Sequence, residues 1–449
     1  MPGDDRTLIA HLFRRAGFGA RPAELDYYTR AGYSKAVQDL VSGTPLMGAE
    51  PSFDEALDPI NIPVQNLRGR VLVPALNDIQ TAWLHRMVTT STPLVERMTL
   101  FLHDHWATAY RPGDNIDTPE LTAQNNLFRA NALGSWKTLC HAMIEDVALS
   151  CWLDNNVNMM RHPNENLARE FMELFTLGPG NYTEYDIREA ARALTGYEIG
   201  YRLDLTGPRN VMVFKAANHD KGDMIIFGMG PKNFMPHEFV DTALMQDAAP
   251  LFLARKLIET FVTPTPTASF VARISRELVS SGWQLPAALT AIFNSAEFTS
   301  PSARAGLVKS PAEFVAGGLR ALSRASGDDI QRGISWMQRA GQVLYDPPNV
   351  GGWPVNDGWI GAGGILARYN AAVALADLHV AQAPLLPTEP RLRATTPDGW
   401  GDIFGVTELA PETRSAMEGY VRDAKDKTDN AIDAAMITLL VSSPDFSLA

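Results

Sequence analysis

The sequence is poor in cysteine and has no long apolar run. Cys140 and Cys151 are its two cysteines, and both fall in a predicted helix over residues 135–153. Their separation along such a helix is roughly 16 Å, which is beyond the reach of a disulfide, so we expect two buried thiols. A membrane-spanning helix needs about 20 consecutive apolar residues. The sequence has no such run, and no membrane segment is predicted.

Basic residues are also few, and they are scattered. Lysine and arginine number 39 against 51 acidic residues, which gives a formal net charge of −12. Nucleic acids and anionic membrane surfaces attract basic patches, so we predict that the protein binds neither. A polyanionic substrate would need a local basic patch as well, and no stretch of the sequence supplies one.

The amino terminus lacks the long apolar segment of a secretory signal peptide. If Met1 is the natural start, we expect a cytoplasmic protein. If a leader has been removed, we expect an exported one.

Apolar residues make up 45% of the sequence and charged residues 20%, which is typical of a globular protein. The apolar residues follow the helical period over most of the chain. Runs rich in Tyr, Val and Ile over 197–228 predict a small antiparallel β insertion, and the proline-rich segment 43–69 predicts a surface loop or linker. We therefore expect a mainly α fold, a large multi-helix body divided into an N-terminal lobe (1–196), the insertion (197–235) and a C-terminal lobe (236–449).

The most unusual stretch, residues 154–196, is dense in asparagine and acidic residues. Asn164 is suited to cap a helix whose apolar residues recur at helical spacing as far as Phe175. Glu170 and Glu173 lie three residues apart, so they share a face of that helix. Two carboxylates on one face are placed to serve a single site.

Histidines elsewhere in the chain complement these carboxylates. His103 and His105 form a His-x-His pair, and His219 precedes Asp220. Imidazole together with carboxylate suits zinc, iron, manganese or copper, so we predict a divalent transition metal bound by His103, His105, Glu170 and His219. Residues two apart on a helix point about 200° apart, so the first two histidines can share an ion only if the helix ends or distorts there.

Three further residues are predicted to act in catalysis at this metal. Glu173 or Asp220 would be a second ligand or the general base, and Arg169 would orient the carboxylates or bind substrate. The ligand types do not distinguish hydrolysis by bound water from oxidation by O₂. Glu170 and Glu173 are also a candidate acid and base pair without a metal, although neighbours on one helix are poorly placed to flank a bond.

A calcium loop is an alternative use of the same stretch. Its candidate ligands are Asp154, Asn156, Asn158 and Glu165, which occupy places 1, 3, 5 and 12 of the calcium-loop pattern. The sixth place is Met159, where the sharp turn requires glycine, so the pattern is incomplete. Asparagines in such places also cap helices and bond loop backbone, which is the structural alternative.

A loop over residues 346–359, DPPNVGGWPVNDGW, is long, aromatic and rich in glycine. Such loops often line ligand clefts. We therefore predict that Asn349, Trp353 and Trp359 contact a small organic or carbohydrate-like substrate. In the structural alternative, Trp353 and the proline that follows it fill the core.

Several motifs give the sequence a family resemblance. They are HLFRRAGFG, FLHDHWAT, LDNNVN, NENLAREFMELFTLGPGNYTEYDIREAARALTGY, HDKGD, VKSPAEFV and PPNVGGWPVNDGWI. From about His11 to the carboxyl end, the chain resembles a large bacterial family catalogued as domain of unknown function 1800. The resemblance implies a largely α-helical protein, often exported and often encoded beside a sulfatase-like protein, which makes that protein a candidate partner. It implies no activity, and Asp104 stands where the family pattern often reads His-Asn-His.

Two functional hypotheses follow. The leading one is a metal-dependent enzyme, oxidative or hydrolytic, that acts on a small organic or carbohydrate-like substrate. The rival is a non-catalytic binding or assembly protein whose polar core is structural and whose loop 346–359 contacts another protein.

Overall fold

Twenty-two α-helices and four short β-strands are found within the residues that the computed structural model describes, namely 2–47, 74–204, 207–381, 392–424 and 426–449. The predicted fold class, mainly α with a small antiparallel β insertion, is confirmed. Most of the proline-rich segment 43–69, predicted to be a loop, lies outside the described residues.

The helices of the first 153 residues are α1 (Pro2–Arg15), α2 (Pro22–Ala31), α3 (Tyr33–Ser42), α4 (Leu76–Thr89), α5 (Pro93–His105), α6 (Thr118–Asn131), α7 (Trp136–Met143) and α8 (Val147–Trp152). The single helix predicted over residues 135–153 is therefore wrong, because α7 and α8 are separate. The helix is interrupted at Asp146, which is the N-cap of α8: its carboxylate accepts the Leu149 amide at 2.8 Å. Cys140 and Cys151 are both buried and free.

The polar stretch contains two α-helices, α9 (Asn166–Glu170) and α10 (Glu184–Ala193), with a π-helical segment (Phe171–Thr176) directly after α9. The sequence predicts one regular α-helix as far as Phe175, and the structure differs from this prediction by the π-helical turn. In a π-helix an amide bonds to the carbonyl five residues earlier instead of four. Here the Leu177 amide donates to the Met172 carbonyl at 2.8 Å. The Phe175 carbonyl lies near the end of this segment, and its partner is the His105 side chain at 2.9 Å.

The β insertion consists of two separate hairpins. Strands β1 (Tyr197–Asp204) and β2 (Gly207–Phe214) pair antiparallel from Tyr197 opposite Phe214 to Asp204 opposite Gly207. Strands β3 (Met224–Ile226) and β4 (Met229–Lys232) form a second two-stranded sheet.

The remaining helices are α11 (Pro236–Leu244), α12 (Ala248–Phe261), α13 (Ala268–Ser280), α14 (Leu285–Phe293), α15 (Ala296–Thr299), α16 (Pro311–Ala321), α17 (Gly327–Arg339), α18 (Ala362–Ala381), α19 (Pro397–Ile403), α20 (Pro411–Asp423), α21 (Asp429–Ser442) and α22 (Pro444–Ser447). Their starts follow local chemistry. Ser310 caps α16, Thr267 caps α13 and Thr428 caps α21, each by accepting a backbone amide of the first turn.

Two hydrophobic clusters form the interior. Phe13, Trp106 and Phe171 belong to the first cluster, and Trp83 and Trp400 belong to the second. Helix α5 contributes to both clusters and so lies between them. The division into lobes at residues 196 and 235 stays a prediction. Within the described ranges, no helix has both the length and the apolar content needed to cross a bilayer.

A fully buried arginine joins α16 to the amino-terminal helices. Arg320 donates to the Glu24 carboxylate at 2.7 Å and to the carbonyls of Gly19, Val88 and Thr90 at 3.1, 3.0 and 2.9 Å. Because its charge and its donors are satisfied by protein atoms, this arginine holds the two parts of the chain in register.

Candidate functional site

A cavity of about 490 Å³ lies between α5, α12, the start of α16 and the loop 346–359. The π-helical segment adds Leu174 to its wall, and α1 adds Arg15. Its volume is in the range of small-molecule sites, about 300–1,000 Å³. This cavity is therefore the candidate ligand site.

The tryptophans of the loop lie on this cavity. Trp353 and Trp359 both line it and are both mostly buried, at 6% and 7% exposed. Asn356 lines it too, and its side-chain oxygen accepts the Val308 amide at 2.8 Å, which ties the loop to the segment before α16. Asn349, predicted with the tryptophans, is exposed, accepts the Gly351 amide at 2.8 Å and is not among the lining residues.

Asp104 fastens the loop to α5. Its carboxylate accepts the Trp353 amide at 2.8 Å, and burial raises the pKa of this carboxyl to about 6. Gly352 has a φ of +85°, which favours glycine, and a Cβ there would collide with the Asp104 carboxylate. The sequence Gly-Gly-Trp thus allows the loop backbone to approach the carboxylate closely.

Basic side chains from four distant segments converge on the cavity. They are Arg15 on α1, Arg97 on α5, Lys256 on α12 and Lys309 before α16. Within the described ranges, neither lysine has a carboxylate within 4 Å of its Nζ atom, and each Nζ lies instead over a phenylalanine ring. Arg15 is buried, and burial followed by the nearby Arg14 guanidinium lowers its pKa to about 9.

The acidic side chains of the wall have protein partners. Glu313 accepts from Arg97 Nη2 and from the Ser310 amide, both at 2.8 Å. Glu259 lies 3.9 Å from Arg255 Nη1, and Asp104 accepts the Trp353 amide. Because these carboxylates are engaged while the two lysines are not, the wall side chains without an ion partner are basic.

The two histidines of the His-x-His pair have different surroundings. His103 Nε2 accepts the Tyr345 amide at 3.2 Å, so this nitrogen is already used, and burial lowers the pKa of the ring to about 3. His105 Nε2 lies 2.9 Å from the Phe175 carbonyl, which can only accept, so Nε2 carries the proton and Nδ1 has the free lone pair. His105 lines the cavity, whereas His103 packs among Trp83, Tyr345 and Trp353.

The other predicted ligands lie in different surroundings. His219 Nδ1 lies 3.0 Å from the Thr195 carbonyl, and the ring packs on Phe214 beside the β insertion. Glu170 is half-buried on α9, and burial followed by the charge of Glu173 raises its pKa. Among the residues that the structure describes, no group of three or more His, Cys, Asp and Glu is arranged to hold a metal ion. The transition metal stays a prediction.

The predicted catalytic residues are engaged in pairs with the protein. Arg169 donates to both oxygens of the Glu184 carboxylate at 2.9 Å. Glu173 accepts the Tyr182 hydroxyl, and Asp220 accepts Arg192 Nε at 2.7 Å. None of the three predicted residues lines the cavity.

The candidate calcium ligands form hydrogen bonds and ion pairs with neighbouring protein groups. Asn158 donates to the Ala191 carbonyl at 2.9 Å and accepts the Asn164 amide at 2.9 Å. The partner of Asp154 is the Asn166 amide group at 2.9 Å, and Glu165 pairs with Arg169 at 3.2 Å. These bonds support the structural alternative. No side-chain bond of Asn156 enters this network, and calcium stays a prediction.

The sequence profile of a family described as proteins of unknown function, DUF1800, matches residues 11–448, which is nearly the whole chain. The chain belongs to the DUF1800 family. No curated protein and no solved structure matches it.

In this DUF1800 protein the sequence motifs contain several of the residues that line the cavity, but they do not identify a reaction. The motif FLHDHWAT supplies Asp104 and His105, and VKSPAEFV supplies Lys309 and Glu313. Arg15, Lys256 and Lys309 were not predicted as site residues, because single basic residues far apart in sequence give no local signal. The one available signal was that HLFRRAGFG and VKSPAEFV place Arg15 and Lys309 inside family motifs.

Proposed function

We propose that the protein binds a small organic acid in the cavity beside the loop 346–359, with the cationic wall holding the carboxylate and the tryptophans contacting the rest of the molecule. The observation that carries the proposal is the convergence of Arg15, Arg97, Lys256 and Lys309 on one cavity of a chain whose net charge is −12. Glu313 already pairs with Arg97, but within the described ranges Arg15 and Lys256 have no carboxylate within 4 Å, so a bound anion would neutralise them through charge-assisted bonds, which are the strong ones.

The aromatic part of the wall extends the proposal to the body of the ligand. Trp353 and Trp359 present apolar surface, while the side-chain amides of Asn356 and Gln342 also line the cavity. Apolar surface with a few polar groups is typical of sites that orient a small molecule. Acidic sugars and aromatic acids both combine a carboxylate with a body that packs on such rings.

Matched ligands test the carboxylate. Glucuronate and glucose differ at one carbon, as do benzoate and benzyl alcohol, and each is titrated at constant ionic strength while tryptophan fluorescence and the melting temperature are measured. We expect an acid of at least one pair to bind and raise the melting temperature, and its neutral counterpart to do neither. Equal responses to acid and neutral compound would contradict the proposal.

A lysine variant locates the binding. Lys256→Met removes an unpaired cation of the cavity, whereas Lys221→Met removes an exposed lysine of the loop before β3. Because a hydrogen bond to a charged group is worth about 1.5–3 kcal/mol, we expect Lys256→Met to weaken binding of the acid about 10–100-fold and Lys221→Met to leave it unchanged. A similar loss in both variants would place the binding elsewhere.

A metal-dependent reaction on this acid remains the hypothesis that the sequence suggests, and elemental analysis tests it directly. Protein purified without added metal is analysed for iron, zinc, manganese and copper, beside the His105→Ala and His219→Ala variants. Stoichiometric metal that either variant removes would support the hypothesis. Metal below one-tenth of stoichiometry in a folded protein that still binds the acid would oppose it.

Binding to another protein is the second candidate function. The observation that favours it is a group of exposed apolar side chains at the end of the loop and the start of α18, namely Val355, Ile360, Ile365, Leu366 and Tyr369. The sulfatase-like protein often encoded beside members of the family is the partner to test. Copurification of the two proteins that Leu366→Asp abolishes would support this function, and no copurification would contradict it.

A further inference from the structure

Lys309 is held rigidly at the cavity wall by three parts of the chain. Its amide donates to the Ser447 carbonyl at 3.0 Å, and its carbonyl accepts from Arg368 Nη2. The preceding residue, Val308, donates its amide to Asn356 of the loop. Because the backbone is fixed on both sides of the residue, Lys309 has a defined position on the cavity wall.

The amino group of Lys309 has no anionic partner. Its side chain is buried, the residue being 5% exposed, and Nζ lies 3.8 Å from the centre of the Phe446 ring. The nearby Glu313 is already bonded to Arg97 and to the Ser310 amide. Within the described ranges no carboxylate lies within 4 Å of this nitrogen. A buried lysine on a cavity wall without a counter-ion is unusual, because burying an unpaired charge is costly.

The surroundings of Lys309 favour the neutral amine. Burial, followed by the charges of Arg14, Arg368 and Arg15, lowers its pKa well below the usual value for lysine, and Glu313 opposes this only in part. A neutral amine has a lone pair on Nζ and is a nucleophile, whereas an ammonium is not. Desolvation and neighbouring cations are the two means by which proteins activate lysine toward carbonyl carbons.

We propose that Lys309 Nζ forms an imine with the carbonyl carbon of a small 2-oxo acid bound in the cavity, with Arg15 and Lys256 available for its carboxylate. The inference rests on the proposed function, since it takes the same cavity and the same cationic wall, and it narrows the ligand to an acid that carries a carbonyl group next to the carboxylate.

The step balances without an oxidant, reductant or metal. The Nζ lone pair forms a bond to the carbonyl carbon, and the π electrons of the C=O bond move to oxygen. Both amine protons and the carbonyl oxygen leave as one water molecule, which gives the C=N bond, and a further proton gives the cationic imine. That cation withdraws electrons from the adjacent bonds, so the reaction class is cleavage of a C–H or C–C bond next to the carbonyl carbon.

Reductive trapping tests the inference on the whole protein. The protein is incubated with pyruvate or phenylpyruvate and cyanoborohydride, and adducts are located by peptide mass spectrometry. Lactate, which lacks the carbonyl, and acetone, which lacks the carboxylate, are the matched controls. We expect one adduct per chain on Lys309, at least tenfold more than on Lys256 or Lys221, with either oxo acid, and at least tenfold less with acetone.

The variant Lys309→Arg tests whether the adduct forms at this residue. A guanidinium has no amine that can form an imine, so we expect the adduct to disappear from residue 309 without a compensating adduct on Lys256. Adducts spread evenly over the lysines, or none with a wild-type protein that binds lactate, would overturn the imine and leave the proposed function standing. Failure of lactate and of both oxo acids to bind would overturn the imine and count against the proposed function as well.

Discussion

Two polar regions of the molecule, the cavity wall and the stretch 154–196, differ in how their charged side chains are satisfied. In the stretch, Arg169 pairs with Glu184, and Arg192 pairs with Glu189 and with Asp220 beyond it. At the cavity, Lys256 and Lys309 have no carboxylate within 4 Å among the described residues. The stretch is richer in polar residues, yet both of these arginines are paired with carboxylates of the protein.

The difference shows that the density of polar residues is a poor guide to a site. A paired charge stabilises the fold or is neutral to it, whereas an unpaired buried charge costs free energy unless a ligand neutralises it. Arg15 on the cavity wall is such a charge, whereas the stretch is organised as helix caps and ion pairs. The following predictions test this contrast, beginning with the Arg97–Glu313 pair of the cavity wall.

Arg97→Met should produce the largest loss of stability. Arg97 Nη2 lies 2.8 Å from the Glu313 carboxylate, and both side chains are mostly buried, at 9% and 13% exposed. Removing one partner of a buried pair leaves the other charge uncompensated, which costs about 3–5 kcal/mol. Urea unfolding followed by circular dichroism measures the change. In the double variant Arg97→Met with Glu313→Gln, we expect recovery of at least half of the loss, and no recovery would show that the pair is not the cause.

Asp146→Asn should raise stability at pH 8 but not at pH 3.5. Burial raises the pKa of Asp146 to about 6, against an ordinary value of 3.8. Between these pH values the folded state keeps a proton that the unfolded state has lost, so rising pH lowers the stability of the wild type until it levels off above pH 6. The variant does not titrate there, and its oxygen can still accept from Leu149 and Gln124.

The expected gain from Asp146→Asn at pH 8 is about 3 kcal/mol, since the pKa rises from 3.8 to about 6 and one pKa unit corresponds to about 1.4 kcal/mol. Urea unfolding at both pH values provides the measurement. Asp146 is buried like the charges of the cavity but does not line it, so ligand affinity should stay unchanged. A gain of equal size at pH 3.5 would show that something other than its charge is responsible.

Much of the fold was predictable because helix ends are encoded locally. Thr183 with Asp186 forms a capping box before α10, and Asp117 with Glu120 forms one before α6. The break between α7 and α8 was missed, because Asp146 reads as an ordinary polar residue until its carboxylate is seen to cap the next helix. The π-helical segment was missed because its apolar residues Phe171 and Phe175 recur at the spacing of a regular α-helix, so the sequence pattern does not show the wider turn.

The candidate site was predictable only in part. Trp353 and Trp359 stood out because a long aromatic loop is unusual in itself. The cations did not, since the sequence has no basic cluster and the cavity assembles single residues from α1, α5, α12 and the segment before α16. The bonds of the histidines were not predictable for the same reason: the Nε2 atoms of His103 and His105 bond to backbone groups of Tyr345 and Phe175, which lie far away in sequence.

Arg192→Met tests a partly buried pair of the second region. Arg192 donates to Asp220 at 2.7 Å and to Glu189 at 2.8 Å, with its own side chain 24% exposed. We expect a loss of about 1–2 kcal/mol, less than for Arg97→Met, because the Arg192 side chain is 24% exposed against 9% for Arg97, so water can take its place beside the two carboxylates. The affinity for the organic acid should be unchanged. An affinity loss of tenfold or more would support the predicted functional role of Asp220.

Arg169→Met should have the smallest effect, although the sequence marks Arg169 as catalytic. Its partners Glu165 and Glu184 are 38% and 73% exposed, and such surface pairs contribute about 0–1 kcal/mol. Urea unfolding in low and high salt measures the loss, which should shrink further as salt screens the pair. Binding of the organic acid is compared in the same variant. Unchanged affinity would leave the contrast between the two regions intact, whereas a tenfold loss with unchanged stability would mean that paired surface charges of the stretch act on a ligand after all.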